Sequence, residues 1–302
     1  MTGAVLSALR AQESSSGVTD TARLLVSCAD RPGIVAGVSR FLVERGANIV
    51  QSDQYSTNPE SGSFFLRVVF HLPGVSARLD ELSEQFAVEV AQRFGSDFEF
   101  HDAARPKRVA IMVSRYDHCL LDLLWRTSRG ELPMEIGAVV SNWGDLRDEV
   151  TRFGVPYHEI PVTRATKATS ESAQLDVLGG GRYDLVILAR YMQILSDDFL
   201  RRVGCPVINI HHSFLPAFAG AGPYERAKER GVKLIGATAH YATADLDEGP
   251  IIEQDVTRVS HRATTRDLVR AGADVERSVL QRAVRWHCED RVLLHGNTTV
   301  VF

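Results

Sequence analysis

The sequence is poor in the features by which many proteins declare a partner. Its four cysteines, Cys28, Cys119, Cys205 and Cys288, stand far apart without paired spacing. That excludes a zinc knuckle or a disulfide framework and suits a reducing compartment, the cytoplasm. No apolar run reaches the roughly 20 residues that cross a bilayer, so no membrane partner is expected. With 34 Lys and Arg against 38 Asp and Glu, the formal net charge is -4, and the basic surface that nucleic acid demands is missing. Residues 1–20 lack the basic start and long apolar block of a secretory signal, although residues 5–12 carry a short helical pattern; a flexible tail is expected there. The histidines show no metal-ligand spacing, and no metal ion or cofactor is expected. Glycine is absent from one informative place, the turn Val113-Ser114-Arg115-Tyr116-Asp117-His118-Cys119. A backbone cradle for phosphate needs the close approach that glycine permits. Asp117 would repel such an anion, and Arg115 offsets this only in part.

What is present is an ordinary globular composition, 44% hydrophobic over 302 residues, long enough for two domains. Residues 23–28 alternate as a strand. Asp30-Arg31-Pro32-Gly33 then punctuates the chain before residues 34–45, where Ile34, Val35, Val38, Phe41 and Leu42 fall at helical spacing. Gly46 ends that helix. Residues 48–55 and 63–71 read as a hairpin, residues 74–94 as a second helix burying Leu79, Leu82, Phe86 and Val90, and residues 98–100 as a last strand. The order βαββαβ is ferredoxin-like. Within it, Asp30-Arg31-Pro32-Gly33 and Gly46-Ala47-Asn48-Ile49-Val50-Gln51 resemble an ACT domain, a small module that commonly senses amino acids. The resemblance implies an effector site at Asp30, Pro32, Gly33 and Asn48, where N–H groups at a helix start can hold a carboxylate. Glycine or methionine is the expected effector. The other reading is a structural module that builds a homo-oligomer, a dimer or a tetramer.

The polar stretch around Pro106 reads as a linker, and residues 108–114 open a new pattern with a near-continuous apolar strand of the kind found in a parallel sheet covered on both faces. Helices over residues 118–127, 146–153 and 170–178 alternate with strands over residues 134–141, 156–160 and 184–189. This predicts a doubly wound α/β domain with its ligand at the carboxyl ends of the strands. A long outer helix over residues 265–287 and a hairpin around Gly296-Asn297 complete it. The division expected is a tail at 1–20, an ACT domain at 21–102, a linker at 103–107 and a catalytic domain at 108–302.

Residues 207–255 carry the chemistry. A short buried strand ends in Asn209-Ile210-His211, and the period of two places Asn209 and His211 on one face, with Ile208 and Ile210 on the other. A second strand over residues 234–243 leads to a tight loop, Ala244-Asp245-Leu246-Asp247-Glu248-Gly249. An amide, an imidazole and a carboxylate at strand ends suit acyl chemistry: the first two donate to a developing oxyanion, and the acid orients water or takes its proton. The run Asn209-Ile210-His211-His212-Ser213-Phe214-Leu215-Pro216, then His240, then Asp247-Glu248-Gly249-Pro250-Ile251-Ile252, with His240 seven positions before Asp247, resembles the folate-dependent formyltransferase superfamily, and within it the deformylases of 10-formyltetrahydrofolate.

That resemblance implies an ACT domain followed by a Rossmann-type formyltransferase-like domain, and hydrolysis of 10-formyltetrahydrofolate to tetrahydrofolate and formate, serving one-carbon pools and purine biosynthesis. It implies Asn209, His211 and Asp247 as catalytic residues. It further implies a folate pocket at Tyr191, Met192, Gln193, Ile194, Leu195, His240, Thr243 and Leu246, in which backbone groups read the pterin. Gln193 stands where related transformylases are often basic, and Ala219 and Gly222 depart from the bulkier or polar residues expected there. His212 reads as structural. Two other functions stay open on the sequence: formyl transfer to an amine acceptor, and an inert sensor that only binds folate.

Overall fold

The computed structural model describes residues 19–216 and 223–302; the tail and its helical pattern at residues 5–12, and the departures at Ala219 and Gly222, lie outside the described residues. The chain divides into two compact units. In the first, β1 (Thr21–Ala29), α1 (Ile34–Glu44), β2 (Asn48–Ser56), β3 (Ser63–His71), α2 (Leu79–Phe86) and β4 (Asp97–Asp102) follow in the expected ferredoxin-like order. The sheet order is β2-β3-β1-β4, with each neighbouring pair antiparallel. Alternation along β1 sends Ala22, Leu24 and Val26 into a core shared with Val38, Phe41 and Leu42 of α1 and Leu82 and Phe86 of α2.

The second helix differs from the continuous one expected over residues 74–94. It begins as a 3-10 turn, Val75–Ala77, and after α2 it loosens into a π turn, Ala87–Ala91. The reason lies in the spacing of its core residues. Phe86, Val90 and Phe94 are all buried at intervals of four, and at 3.6 residues per turn they would drift off one face. Under-winding to a π turn restores their alignment. Gly37 of α1 makes room for the last of them, since a Cβ there would lie 2.8 Å from the Phe94 ring.

Residues 289–293 and 300–302 also cluster with this first unit, although chain order placed them in the catalytic domain at 108–302. Polar contacts explain it. Arg23 Nη1 donates to Asp290 Oδ2 at 2.9 Å, while Arg67 donates through Nε to the Asp290 carbonyl and through Nη2 to the Glu289 carbonyl, both at 2.9 Å. Arg67 is buried, and a buried guanidinium without acceptors would be costly.

The second unit contains a seven-stranded sheet ordered β11-β10-β9-β8-β5-β6-β7. Its elements run β5 (Lys107–Val113), α3 (His118–Ser128), β6 (Met134–Ser141), α4 (Arg147–Thr151), β7 (Tyr157–Glu159), α5 (Lys167–Gly181), β8 (Leu185–Leu188), α6 (Asp197–Arg202) and β9 (Val207–His211). They continue with α7 (Pro223–Glu229), β10 (Leu234–Tyr241), β11 (Ile251–Arg258) and α8 (Thr265–Cys288). The hairpin of β12 (Val292–His295) and β13 (Thr298–Val301) follows, with residues 294–299 in this unit and its outer residues in the first. The apolar run of β5 is buried throughout Val109–Val113, and β5 pairs in parallel with both β6 and β8. The chain builds outward from β5 first to β6 and β7, then to β8 and β9. The sheet therefore has its topological switch beside β5, where crevices open at strand ends. The last two strands depart from a parallel arrangement: β10 runs antiparallel to β9 and β11 to β10. Residues 242–250 between β10 and β11 are too few for a parallel crossover, which takes a dozen or more.

Candidate active site

Three chain segments converge at the carboxyl ends of β8 and β9. Registration of β9 with β10 sets Asn209 opposite His240 and His211 opposite Thr238, so all four side chains share one face of the sheet. Between Ala239 and His240 the β10–β11 register shifts, a bulge of the kind that re-aims side chains next to sites. The loop after β10 then returns Asp247 to the same place. Asp247 has φ of 60°, a left-handed conformation that aspartate tolerates better than most residues. Gly249 is required by space, because a Cβ there would lie 1.8 Å from the Tyr241 carbonyl oxygen. The loop is tied from outside by Asn297 Nδ2, which donates to the Glu248 carbonyl at 2.8 Å.

The hydrogen bonds fix protonation states. His240 Nδ1 lies 3.0 Å from the Tyr241 carbonyl, which can only accept, so Nδ1 carries the proton and Nε2 is bare. Asn209 Nδ2, 3.1 Å from that Nε2, therefore donates to it, leaving its second N–H for another acceptor. Burial holds His240 below the ordinary histidine range, in keeping with a neutral ring. Its Nε2 is 3.8 Å from Asp247 Oδ1, beyond hydrogen-bond reach. His211 Nδ1 lies 3.3 Å from Asp247 Oδ2, with both side chains nearly buried. Asp247 is held below the usual carboxylate range, first by the hydrogen bond from His211, against the opposing effect of burial, and then by the surrounding imidazoles. His211 Nε2 is buried without a hydrogen-bond partner among the described residues. His212 is pushed down to about 4, by burial and then by the Arg190 cation, so it is neutral at neutral pH.

These groups form one end of a cavity of about 270 Å³ whose lining includes every residue the sequence assigned to catalysis or the folate pocket. The far wall is the segment after β8. Met192 and Ile194 are 48% and 58% exposed, and Leu246 across the opening is 57% exposed, so these three are apolar walls rather than core. Tyr191 is instead buried, its hydroxyl accepting from Gln174 Nε2 at 2.8 Å. Leu195 packs on the core beside it. Thr243 stabilises the loop, donating to the Asp245 carbonyl. Of the residues assigned to an effector, Asp30, Pro32 and Gly33 sit in the turn before α1, with Gly33 at φ of 96° as its N-cap, and Asn48 opens β2. The Asp30 carboxylate accepts from Ser56 Oγ.

Several supporting residues went unnoticed in the sequence. Ser114, one residue past β5, accepts the Met192 N–H at 3.0 Å and donates to Asn142 Oδ1 at 2.7 Å, pinning the pocket wall; a lone polar residue closing an apolar strand was the available signal. Buried Thr238 donates to the Ser213 carbonyl and accepts from Leu215 N, fixing the segment that leaves His211. Glu276 of α8 accepts from Arg190 Nη1, His118 Nε2 and Tyr224 Oη, each at 2.8 Å. His118, Cys119 and Glu276 also bring ligand-type atoms within 4.8 Å of one another. Arg190 and His118 both bond the same Glu276 oxygen.

An amide donor, a carboxylate-paired imidazole and a largely apolar slot at the strand ends of an α/β sheet suit a formyl-transfer domain, and comparison with known proteins agrees. The formyl transferase family profile matches residues 107–284 and the ACT domain profile residues 22–87. The second unit resembles a glycinamide ribonucleotide transformylase from Symbiobacterium toebii, 30% identical with a TM-score of 0.62 over 66% of this chain and 95% of that one. Similarity over both units is greater elsewhere. A formyltetrahydrofolate deformylase of Mycobacterium tuberculosis is 62% identical over 94% of this chain and 91% of its own. A crystal structure of one from Pseudomonas syringae pv. tomato is 46% identical with a TM-score of 0.89, covering 97% and 99%. The chain belongs to the formyltetrahydrofolate deformylase family.

Proposed function

We propose that the chain hydrolyses 10-formyltetrahydrofolate to tetrahydrofolate and formate through Asn209, His211 and Asp247. The pterin lies between the segment Met192–Leu195 and the loop bearing Thr243 and Leu246, and the formyl group reaches the polar end. Water, oriented by ionised Asp247, adds to the formyl carbon, and the Asp247–His211 pair takes its proton. The free N–H of Asn209 and the His211 imidazolium stabilise the oxyanion. As the intermediate collapses, the bond from carbon to N10 breaks and His211 returns a proton to the departing nitrogen, releasing formate. No cofactor or metal enters this scheme. The observation that carries it is the 3.3 Å approach of His211 Nδ1 to Asp247 Oδ2 in the wall of the cavity lined by Met192, Ile194 and Leu246.

The test is formate release from 10-formyltetrahydrofolate with no amine present. Wild type turns over, and Asp247→Asn loses kcat by about 10²–10³, the scale of one transition-state group. Equal rates for both would favour an inert sensor, and turnover only with an amine would favour transfer.

The ACT unit supports a regulatory reading, in which an amino acid such as glycine or methionine binds at Asp30, Pro32, Gly33 and Asn48 and alters activity by preferring one arrangement of the protein. The same unit supports a homo-oligomer, a dimer or tetramer. A cytoplasmic role in one-carbon and purine metabolism accords with the folate substrate and with the fact that, among the described residues, no helix is long and apolar enough to cross a membrane.

A further inference from the structure

A related domain is named a glycinamide ribonucleotide transformylase, so a chain that hydrolyses must keep such acceptors from the formyl carbon. Arg190 and His212 line the cavity beside His211, and behind them Arg190 bonds Glu276 while the Tyr224 ring lies against His212. Glu276, 1% exposed, has both oxygens occupied: Oε2 accepts from Arg190 Nη1 and His118 Nε2, and Oε1 from Tyr224 Oη. The Arg190 guanidinium lies 4.6 Å from the centre of the Tyr116 ring, and the Tyr224 ring 5.9 Å from that of His212, itself 5.2 Å from His211. Burial alone would raise Glu276, yet its three donors hold it below the ordinary carboxylate range. The packing is specific to this filling. Gly272 of α8 lies where the Tyr224 phenol crosses, and a Cβ there would be 1.9 Å from its oxygen.

We propose that this cluster, Glu276 with Arg190, His118, Tyr224 and Tyr116, is the acceptor-specificity determinant: it occupies the space beside His211 that an amine co-substrate needs and leaves water as the nucleophile. The proposal rests on the hydrolytic reading above. An amine that entered would form a bond from its nitrogen to the formyl carbon as the bond to N10 broke, its proton passing to N10. The cluster excludes this by bulk and by charge pairing, since the Glu276 carboxylate is already engaged by Arg190, His118 and Tyr224.

The test uses the full chain, 10-formyltetrahydrofolate and millimolar glycinamide as the amine probe, with formate and N-formylglycinamide measured by mass spectrometry. Formate release without glycinamide is measured first in each protein and tests the hydrolytic reading by itself. Wild type is expected to give formate alone. Tyr116→Ala, whose ring is 48% exposed so that folding does not depend on it, is expected to raise the ratio of formylated amine to formate at least about tenfold, the scale of a small change in pocket shape. Tyr116→Ala with Glu276→Gln, which releases Arg190, raises it further. N-formylglycinamide from wild type would overturn the proposal. So would an unchanged ratio in Tyr116→Ala while it still releases formate. Loss of formate release from Tyr116→Ala at an unchanged thermal midpoint would also contradict it, because it would place that ring in the hydrolytic machinery.

Discussion

The two ends of the catalytic cavity are built on opposite principles. At the folate end, Met192, Ile194 and Leu246 leave large apolar side chains about half exposed, and the backbone of the wall is pinned from behind by Ser114. Large apolar side chains left exposed around a cavity suit a flat ring as ligand. At the other end, Arg190, His118 and Tyr224 all engage Glu276, and of these four only Arg190 lines the cavity. Asn209, His211 and Asp247 sit between. On the proposed reading, the folate side stays open to the substrate while the opposite side decides what else is admitted.

The contrast can be broken from its closed end first. Glu276→Ala strands the Arg190 cation in the interior, and removing one partner of a buried pair costs about 3–5 kcal/mol; a lower urea midpoint with an unchanged m-value would report it. At the open end the effects are smaller and fall on binding. Ile194→Ala and Leu246→Ala each remove part of an apolar wall worth about 1 kcal/mol to the bound ligand. KM should rise about fivefold with kcat nearly constant and stability nearly unchanged, because both side chains are exposed without ligand. A smaller signature belongs to His212, at the border between the ends. Its folded value of about 4 lies below the unfolded value of about 6.5. Between these the unfolded chain binds more protons, so stability declines as pH falls from about 6.5 and the decline levels off near 4. His212→Asn should flatten that slope in urea unfolding measured across the same window, and a slope equal to wild type would place the titration elsewhere.

Much of this arrangement was legible in the sequence because it is written in short-range periods. The alternation Ile208-Asn209-Ile210-His211 fixes which side chains face the site once the segment is a strand, and Asp247-Glu248-Gly249 announces a tight loop. The ferredoxin-like order of the first unit followed from the same periods. What escaped depends on contacts between distant positions. His118 and Glu276 are 158 residues apart, and nothing local marks Glu276 as different from the other charges of α8. The reversal of β10 and β11 is likewise a matter of pairing, since an apolar strand reads alike in either direction. The π turn after Phe86 was hidden because its cause, the burial of Phe94 against Gly37, lies in another helix. Met192 and Ile194 carry the opposite lesson: from composition they suit a core, the resemblance alone set them in a pocket, and their exposure in the structure accords with a ligand's wall.

The central claim, that the amide, imidazole and carboxylate act together on one formyl carbon with water as the acceptor, is most directly tested by single turnover of 10-formyltetrahydrofolate in ¹⁸O-labelled water without any amine. The account predicts formate carrying a single solvent oxygen, formed at the rate of tetrahydrofolate appearance. Unlabelled formate, or no formate until an amine is added, would contradict it.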